Sequence, residues 1–358
     1  MSKKINFIIL AAGKGTRLGV DVAKPLLQFQ GKNLIHQVLK VVGEIKLEVE
    51  SNISVVVGHK KEDVICYCDD NLPDSNIEYI HQDNQLGTGH AISEYLVQTK
   101  NDSDLVIILC ADTPLIDVET IEKLILFGRK NELLACGLSF NLESPHGYGR
   151  VKRSANSAGV SIVEEKDASS QEKKIKEVNS GIYLVDKEYL CTQINQLDNN
   201  NKSGELYLTD IFKHEQPCDF LKIEGGDEKF FGVNTMNQLE KAEAIARKSI
   251  MEKHQKNGVR FIDSSSVYID GDVIIASGVT IMPNVHIRGK SEIHMNCSID
   301  TGCIITDSVI HDGVCLLPYS VIENSVLHKL SSVGPFARIR PGTTVGEACK
   351  VGNFVETK

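Results

Sequence analysis

Two hydrophobic rhythms divide the chain. Up to about residue 235, short apolar runs alternate with stretches whose apolar residues fall at helical spacing. The runs at 5–10, 53–57, 77–81, 105–109, 134–140, 159–164, 178–185, 220–223 and 230–233 predict strands. The first of them has the length and composition of a strand buried on both faces. Residues 33–49 place Leu34, Val38, Leu39, Val42 and Ile45 on one helical face, and 89–97, 117–130, 187–196 and 207–214 read as further helices. This alternation predicts an α/β fold, with helices on both faces of a mixed, mostly parallel sheet. Residues 236–256 are rich in Glu, Lys, Ala and Gln, with no breaker before Gly258, and predict a long linker helix.

Beyond Gly258 the pattern changes. Ile269, Ile275, Ile281, Ile287, Ile293, Ile299 and Ile305 stand six residues apart. Two five-residue steps carry the series through Ile310, Leu316, Ile322 and Leu327, and six-residue spacing resumes at Val333, Ile339, Val345 and Val351. Four residues after each aliphatic a small or β-branched residue is expected inside, among them Val279, Cys297, Cys303, Val309, Val326 and Cys349. The pattern predicts a parallel β-helix of hexapeptide repeats, three repeats to a coil, in which those three cysteines are packing residues. The fifteen repeats make about five coils and run to Lys358 without a cap, so a cap is expected to be missing or supplied by a partner. The expected organisation is a first domain over 1–235, a linker helix over 236–258 and the solenoid over 259–358.

A net charge of −9 over 358 residues, with no basic block, argues against a nucleic-acid partner. No apolar run approaches membrane-spanning length, and the four residues before the first strand leave no room for a signal peptide. A cytoplasmic location is expected. The ten cysteines are scattered and contain no C-x-x-C pair, which favours reduced thiols over disulfides or zinc.

The candidate chemistry follows the first strand. Ala11-Ala12-Gly13-Lys14-Gly15-Thr16 is a small-residue loop, with Arg17 next and Lys24 seven residues on. Small side chains let backbone N–H groups approach an anion, and two nearby cations suit phosphate oxygens. The loop fits neither G-x-G-x-x-G, since Leu18 occupies the third glycine position, nor the Walker pattern. A tight strand-to-helix turn with surface charges is the alternative. Further clusters occupy strand ends. Gln82 to His90 follows the third strand and opens a helix, offering glutamine amides and the backbone of Gly87 and Thr88. Asp112 ends the strand at 105–109 and its short extension, where a carboxylate holds a cation or caps the next helix. Gly147-Tyr148-Gly149-Arg150 is a glycine-flanked turn, Glu164 and Asn179 sit at strand edges, and Asn234 ends the run at 230–233.

Together these motifs resemble the sugar-1-phosphate nucleotidyltransferases, whose loop reads L-A-A-G-x-G-T-R-[LM]. The segments Gln-x-x-Gln-Leu-Gly-Thr-Gly-His-Ala, Gly-Tyr-Gly-Arg, Glu-x-Lys-Asp-Ala and Asn-Asn-Asn-x-x-Gly-Glu-x-Tyr-x-Thr-Asp narrow the resemblance. With the hexapeptide solenoid, it is to the bifunctional N-acetylglucosamine-1-phosphate uridylyltransferase/glucosamine-1-phosphate acetyltransferase family, across essentially the whole chain. The resemblance implies a left-handed β-helix, a homotrimer, UTP and N-acetylglucosamine-1-phosphate as substrates, Mg²⁺ as cofactor, and a role in peptidoglycan and lipopolysaccharide precursor synthesis. It implies that Leu10, Ala11, Ala12 and Gly13 hold uridine and that Gln82, Gly87 and Thr88 hold uracil. Gln85, Cys110 and Ala111 join the nucleotide site, Arg17 and Lys24 meet the phosphates, and Gly149, Glu164 and Asn179 line the sugar. Asp112 and Asn234 would bind Mg²⁺. Arg340 and Lys358 match a sugar-phosphate site in an acetyltransferase part whose catalytic histidine and acetyl-CoA coils lie beyond the last residue, so that part is expected to be truncated. One departure falls in the site: the family's Tyr-Gly-Asp is Cys110-Ala111-Asp112 here. Two rivals stay open: transfer to another sugar-1-phosphate, with uridylyl or thymidylyl as the group moved, and a non-catalytic trimeric scaffold.

Overall fold

The computed structural model describes residues 3–46, 51–153, 159–212 and 216–357. Val49 and His214, the expected ends of two helices, and Lys358 lie outside the described residues. The chain divides into two compact units, residues 1–28 with 32–242 and residues 29–31 with 243–358. The division falls inside the helix Met236–Lys256, after Ala242, so the expected boundaries at 235 and 258 bracket it.

The first unit is built on strands β1 (Ile5–Leu10), β2 (Ser51–Val57), β3 (Ile77–His81), β4 (Leu105–Cys110), β5 (Ala135–Asn141), β6 (Arg150–Arg153), β7 (Val160–Val163), β8 (Glu177–Asp186) and β9 (Cys218–Lys222). Their order in one mixed sheet is β9-β5-β8-β4-β1-β2-β3, with β6 pairing β8 and β7. β4, β1, β2 and β3 are mutually parallel, whereas β8 runs antiparallel to β4 and β5. Residues 5–9 of β1 and 105–109 of β4 are buried on both faces, as expected of a covered parallel sheet, and the one polar member, Asn6, donates from its amide to Ser54 Oγ at 3.0 Å and Tyr95 Oη at 2.8 Å. The chain steps from β1 to β2 and β3 on one side and returns to β4 on the other. That order makes the carboxyl ends of β1 and β4 a topological switch point, where open α/β sheets form ligand crevices.

Helices α1 (Leu34–Glu44), α2 (Lys61–Asn71), α3 (Thr88–Gln98), α4 (Val118–Lys130) and α5 (Lys187–Ile194) connect these strands. α2 carries almost no periodic signal because only Val64 and Cys68, one turn apart, are buried on it. The expected strand at 230–233 does not form. Phe230 follows the short helix α6 (Gly226–Lys229) and packs against Phe140, with ring centroids 5.4 Å apart. Val233 makes a single backbone bond, donating to the Asp112 carbonyl at 2.9 Å, rather than joining a ladder. β6 was hidden because three of its four residues are basic and only Val151 offers an apolar side chain to the interior.

Helix α7 (Met236–Lys256) has the predicted limits. Thr235 and Gln238 form its cap: the Gln238 N–H donates to Thr235 Oγ1 at 3.2 Å, and Gln238 Oε1 accepts the Asn234 N–H at 2.8 Å.

The second unit is the left-handed β-helix. Its strands stack into three parallel sheets, and the aliphatic ladder closes on itself coil by coil: Ile281 pairs with Ile299, Ile299 with Leu316, and Leu316 with Val333. The aliphatics from Ile269 to Val345 are all buried, while Val351 is partly so. One correction concerns the five-residue steps. Val309 and Val326 are half-exposed, and Ser308 and Ser325 take the buried places instead. The small inner residue keeps a fixed distance of two before the next aliphatic, so the shorter step loses its residue earlier in the turn. Cys297 and Cys303 are buried as expected, but Cys349 is exposed.

The buried serines form their own ladder. The Ser308 N–H donates to Ser291 Oγ at 3.3 Å, and the Ser325 N–H donates to Ser308 Oγ at 3.1 Å. Ser308→Ala is therefore expected to cost about 1–2 kcal/mol by leaving the Ser325 N–H without an acceptor. Val309→Ser, at a half-exposed position, should stay within about 0.5 kcal/mol. Denaturant unfolding of the two variants distinguishes this register from one with residue 309 inside.

Candidate active site

Because β1, β2, β3 and β4 are parallel, the loops after them emerge along one edge of the sheet. Leu10 and Cys110 are register partners there. A pocket of about 300 Å³ opens at this edge. Its wall includes Leu10, Ala11, Ala12, Gly13 and Lys24 from the first loop, and Gln82, Gln85, Gly87 and Thr88 from the loop into α3. Cys110, Ala111 and Asp112, after β4, complete this set. Twelve residues expected in a nucleotide site thus meet in one cavity.

The loop into α3 is held tightly. Gly87 takes φ +116, and a Cβ there would stand 2.5 Å from the Leu206 carbonyl oxygen, so no other residue fits. The Gly89 N–H donates to that same carbonyl at 2.8 Å. Gln82 is only 3% exposed, with its amide nitrogen 3.1 Å from the Gly87 carbonyl oxygen. The Gln85 amide donates to the Gln82 backbone carbonyl at 3.1 Å.

The charged end of the site is formed by Lys24, Asp112, Asn234 and Arg17. The Lys24 ammonium donates to Asp112 Oδ2 in a short contact, and to Asn234 Oδ1 at 2.7 Å. Arg17 Nη2 donates to the same Asn234 oxygen at 3.1 Å. Asn234 is brought here without a strand, by the Val233 bond to Asp112 on one side and the α7 cap on the other. Two oxygens that share one ammonium are hard donors close enough to share a small cation. No group of three or more His, Cys, Asp or Glu side chains able to hold a metal exists among the described residues. One carboxylate and one amide oxygen suit a hard divalent cation that takes its remaining ligands from substrate phosphates and water.

Gly149, Glu164 and Asn179 are absent from that wall and form an adjoining cluster. The Asn179 N–H donates to the Gly149 carbonyl at 2.9 Å, and the Asn179 amide nitrogen donates to Tyr183 Oη at 2.6 Å. β8 shifts register between Asn179 and Tyr183, and Gly181 in the shift accepts a long contact of 4.0 Å from Cys110 Sγ, which links the two clusters. Burial raises the Glu164 carboxyl above its usual range, although the Thr209 hydroxyl, donating at 3.0 Å, opposes the rise. Burial also pushes the Cys110 thiol up to about 12, with the Asp112 carboxylate adding to it, so this sulfur is no nucleophile near neutral pH. Buried Arg150 pins the neighbouring turn, pairing with Glu165 at 2.6 Å.

Several participants had no assigned role. Pro25, Ala91 and Glu205 also line the pocket, and Thr209 reaches Glu164. Glu205 and Thr209 lie in the Asn-Asn-Asn-x-x-Gly-Glu-x-Tyr-x-Thr-Asp segment, which was the available signal. Gly58 had only its place after an apolar strand to mark it, yet a Cβ there would come 2.8 Å from both the Gln82 carbonyl oxygen and the Gln85 amide nitrogen. In the solenoid, exposed Arg340 donates its N–H to Thr357 Oγ1 at 3.0 Å and lies 3.7 Å from Glu356.

Known proteins match on both units. Residues 7–150 match a family described as MobA-like NTP transferase domain, and residues 269–357 match the GMPPB C-terminal domain. A Syntrophomonas wolfei protein named bifunctional protein GlmU is 37% identical over 99% of this chain and 78% of its own length. A Clostridioides difficile protein of the same name is 38% identical over 98% of this chain and 75% of its own. The chain belongs to the GlmU family. It is an enzyme of the sugar-1-phosphate nucleotidyltransferase class, of the UDP-N-acetylglucosamine pyrophosphorylase kind. The expectation of a truncated acetyltransferase part gains no support from matches of this extent. Among solved structures, one assigned as a glucose-1-phosphate thymidylyltransferase from Bacillus anthracis, in complex with sucrose, aligns with a TM-score of 0.53 at 20% identity. It covers 68% of this chain and 95% of its own, and shares the fold. No helix among the described residues is long and apolar enough to cross a membrane.

Proposed function

We propose that this GlmU-family chain transfers a uridylyl group from UTP to N-acetylglucosamine-1-phosphate, releasing pyrophosphate, in the synthesis of cell-wall precursors in the cytoplasm. The observation that carries the reading is the polarity of the pocket. One end offers a buried amide and a helix N-terminus for a base, and the other gathers Lys24, Arg17, Asp112 and Asn234 for phosphates. A phosphate oxygen of the sugar phosphate attacks the α-phosphorus of UTP. A new P–O bond forms as the bond to the bridging oxygen breaks, and that oxygen leaves with the pyrophosphate. The nucleophile is already anionic near neutral pH, so the site needs no strong general base.

The protein's task is to bring two polyanions into line and offset their repulsion. Lys24 supplies a fixed positive charge beside Asp112, and Arg17 a second at Asn234. Asp112 and Asn234 would hold a Mg²⁺ ion, whose chemistry is neutralisation of phosphate charge. Gly149, Glu164 and Asn179 face the sugar, with the Asn179 amide suited to an acetamido group and the Glu164 carboxyl to a hydroxyl. A homotrimer through the solenoid belongs to the same reading.

Pyrophosphate release with UTP, Mg²⁺ and N-acetylglucosamine-1-phosphate is the test, with glucose-1-phosphate as competitor. Turnover should vanish on chelation of the divalent cation, and Asp112→Asn should lower kcat by about 10²-fold or more. Equal use of both sugar phosphates would overturn the sugar assignment, and full activity of Asp112→Asn would overturn the metal assignment.

A further inference from the structure

We propose that His90 is a positioning residue that sets pyrimidine choice. Held by Glu94, it fixes the Gln82 amide with its oxygen toward the pocket, so that a uracil edge is accepted and a cytosine edge refused. The proposal rests on the reading of the pocket as a UTP site.

The backbone donor and acceptor of His81 cannot exchange. The His81 N–H donates to Gln98 Oε1 at 2.9 Å, and the His81 carbonyl accepts from Gln98 Nε2 at 2.9 Å. The Gln98 amide is thereby oriented, and its nitrogen also donates to Glu94 Oε2 at 2.6 Å. Glu94 Oε1 lies 3.3 Å from His90 Nε2. An ionised carboxylate only accepts, so His90 Nε2 is the donor and carries the proton. In the neutral ring Nδ1 is then an acceptor, and it stands 3.1 Å from Gln82 Nε2.

Gln82 is left one arrangement. Its amide nitrogen gives one hydrogen to His90 Nδ1 and the other to the Gly87 carbonyl, both at 3.1 Å. The amide oxygen has no protein donor among the described residues, and the side chain, 3% exposed, belongs to the pocket wall. A buried acceptor directed at a cavity calls for a donor in the ligand. Uracil presents N3–H as that donor between two carbonyl oxygens. Cytosine presents an unprotonated N3, which would set two acceptors against each other. The N–H groups of Gly87 and Thr88 make no backbone hydrogen bond among the described residues, and they complement a uracil carbonyl.

The reversed amide would place its oxygen against the Gly87 carbonyl and against His90 Nδ1, a double repulsion. Polarity set at the end of β3 thus passes through α3 and returns to the residue that follows His81. His90, which has no evident task in the chemistry, transmits it.

The experiment measures kcat/KM for UTP, CTP and dTTP with the unaltered chain, His90→Leu and Glu94→Gln. Glu94 is a third exposed, so its glutamine variant is expected to fold. A glutamine at 94 offers His90 either a donor or an acceptor, which frees the ring tautomer and leaves only the Gly87 carbonyl to hold the Gln82 amide. The UTP:CTP ratio should fall about 10-fold or more in both variants. The UTP:dTTP ratio should stay unchanged, because thymine and uracil share the edge that Gln82 reads. An unchanged UTP:CTP ratio in Glu94→Gln, or an equal loss for all three nucleotides, would overturn the proposal. Absence of UTP turnover by the unaltered chain would count against the functional reading instead. Calorimetric binding of UTP and CTP to the same variants would then still decide the role of His90.

Discussion

Replacing Lys24 with methionine is expected to lower kcat for uridylyl transfer by about 10²- to 10³-fold, with a much smaller change in the KM for UTP. Methionine keeps most of the side-chain volume and removes only the charge. The Lys24 side chain is 13% exposed, and its ammonium is shared by Asp112 and Asn234. A charge so enclosed is screened less than a surface one, so its loss falls on the step where phosphate charge redistributes. Arg17, more exposed and bound only to Asn234 among these groups, would not replace it. The double variant with Asp112→Asn should lose little more than the worse of the two single variants, since the pair acts as a unit. Steady-state kinetics of the three variants is the check. A loss below tenfold for Lys24→Met would mean that this ammonium serves the fold rather than the reaction.

Ile305→Asp is expected to destabilise the second unit by at least about 4 kcal/mol, against about 1 kcal/mol for Ile305→Val. Ile305 is fully buried and stacks between Ile287 and Ile322 in one column of the solenoid. A coil touches only its neighbours, so a carboxyl at 305 has no polar group to reach and no other part of the core to retreat into. Denaturant unfolding followed by circular dichroism measures the difference. A variant within about 1 kcal/mol of the parent would contradict the buried column.

The solenoid was the most legible part of the chain, because one register recurs fifteen times and each repeat checks the others. Two of its errors, Val309 and Val326 for Ser308 and Ser325, arose where the spacing changes and counting forward from the last aliphatic fails, and a third, Cys349, is exposed near the end of the described solenoid. The strands β1 and β4 were legible because burial on both faces makes them almost wholly apolar, with Asn6 the one polar residue among the ten at 5–9 and 105–109. Strand β6 and helix α2 were not, since one is largely basic and the other offers the core only Val64 and Cys68. In the site, the loop residues from Leu10 to Asp112 gathered as expected, because strand ends and glycine punctuation are local signals. The delivery of Asn234 was not legible. It depends on a single backbone bond to Asp112 and a helix cap, neither of which leaves an apolar rhythm. The orienting of Gln82 likewise depends on Gln98, sixteen residues on, through partners that only the packing of α3 beside β3 reveals.

The fixed two-residue interval before each inner aliphatic carries a consequence for how such a domain changes length. Between Ile305 and Ser308 there are two residues, where between Ile299 and Cys303 there are three, yet both steps deliver the next aliphatic into its column. Lengthening or shortening is thus absorbed on one side of each corner alone. A single-residue deletion after an inner aliphatic leaves the frame of every later coil intact, whereas the same deletion between the small residue and the next aliphatic makes those two adjacent, so that they cannot both face inward. The solenoid of this chain is tolerant of miscounting in one segment of its repeat, and both of its short steps fall there.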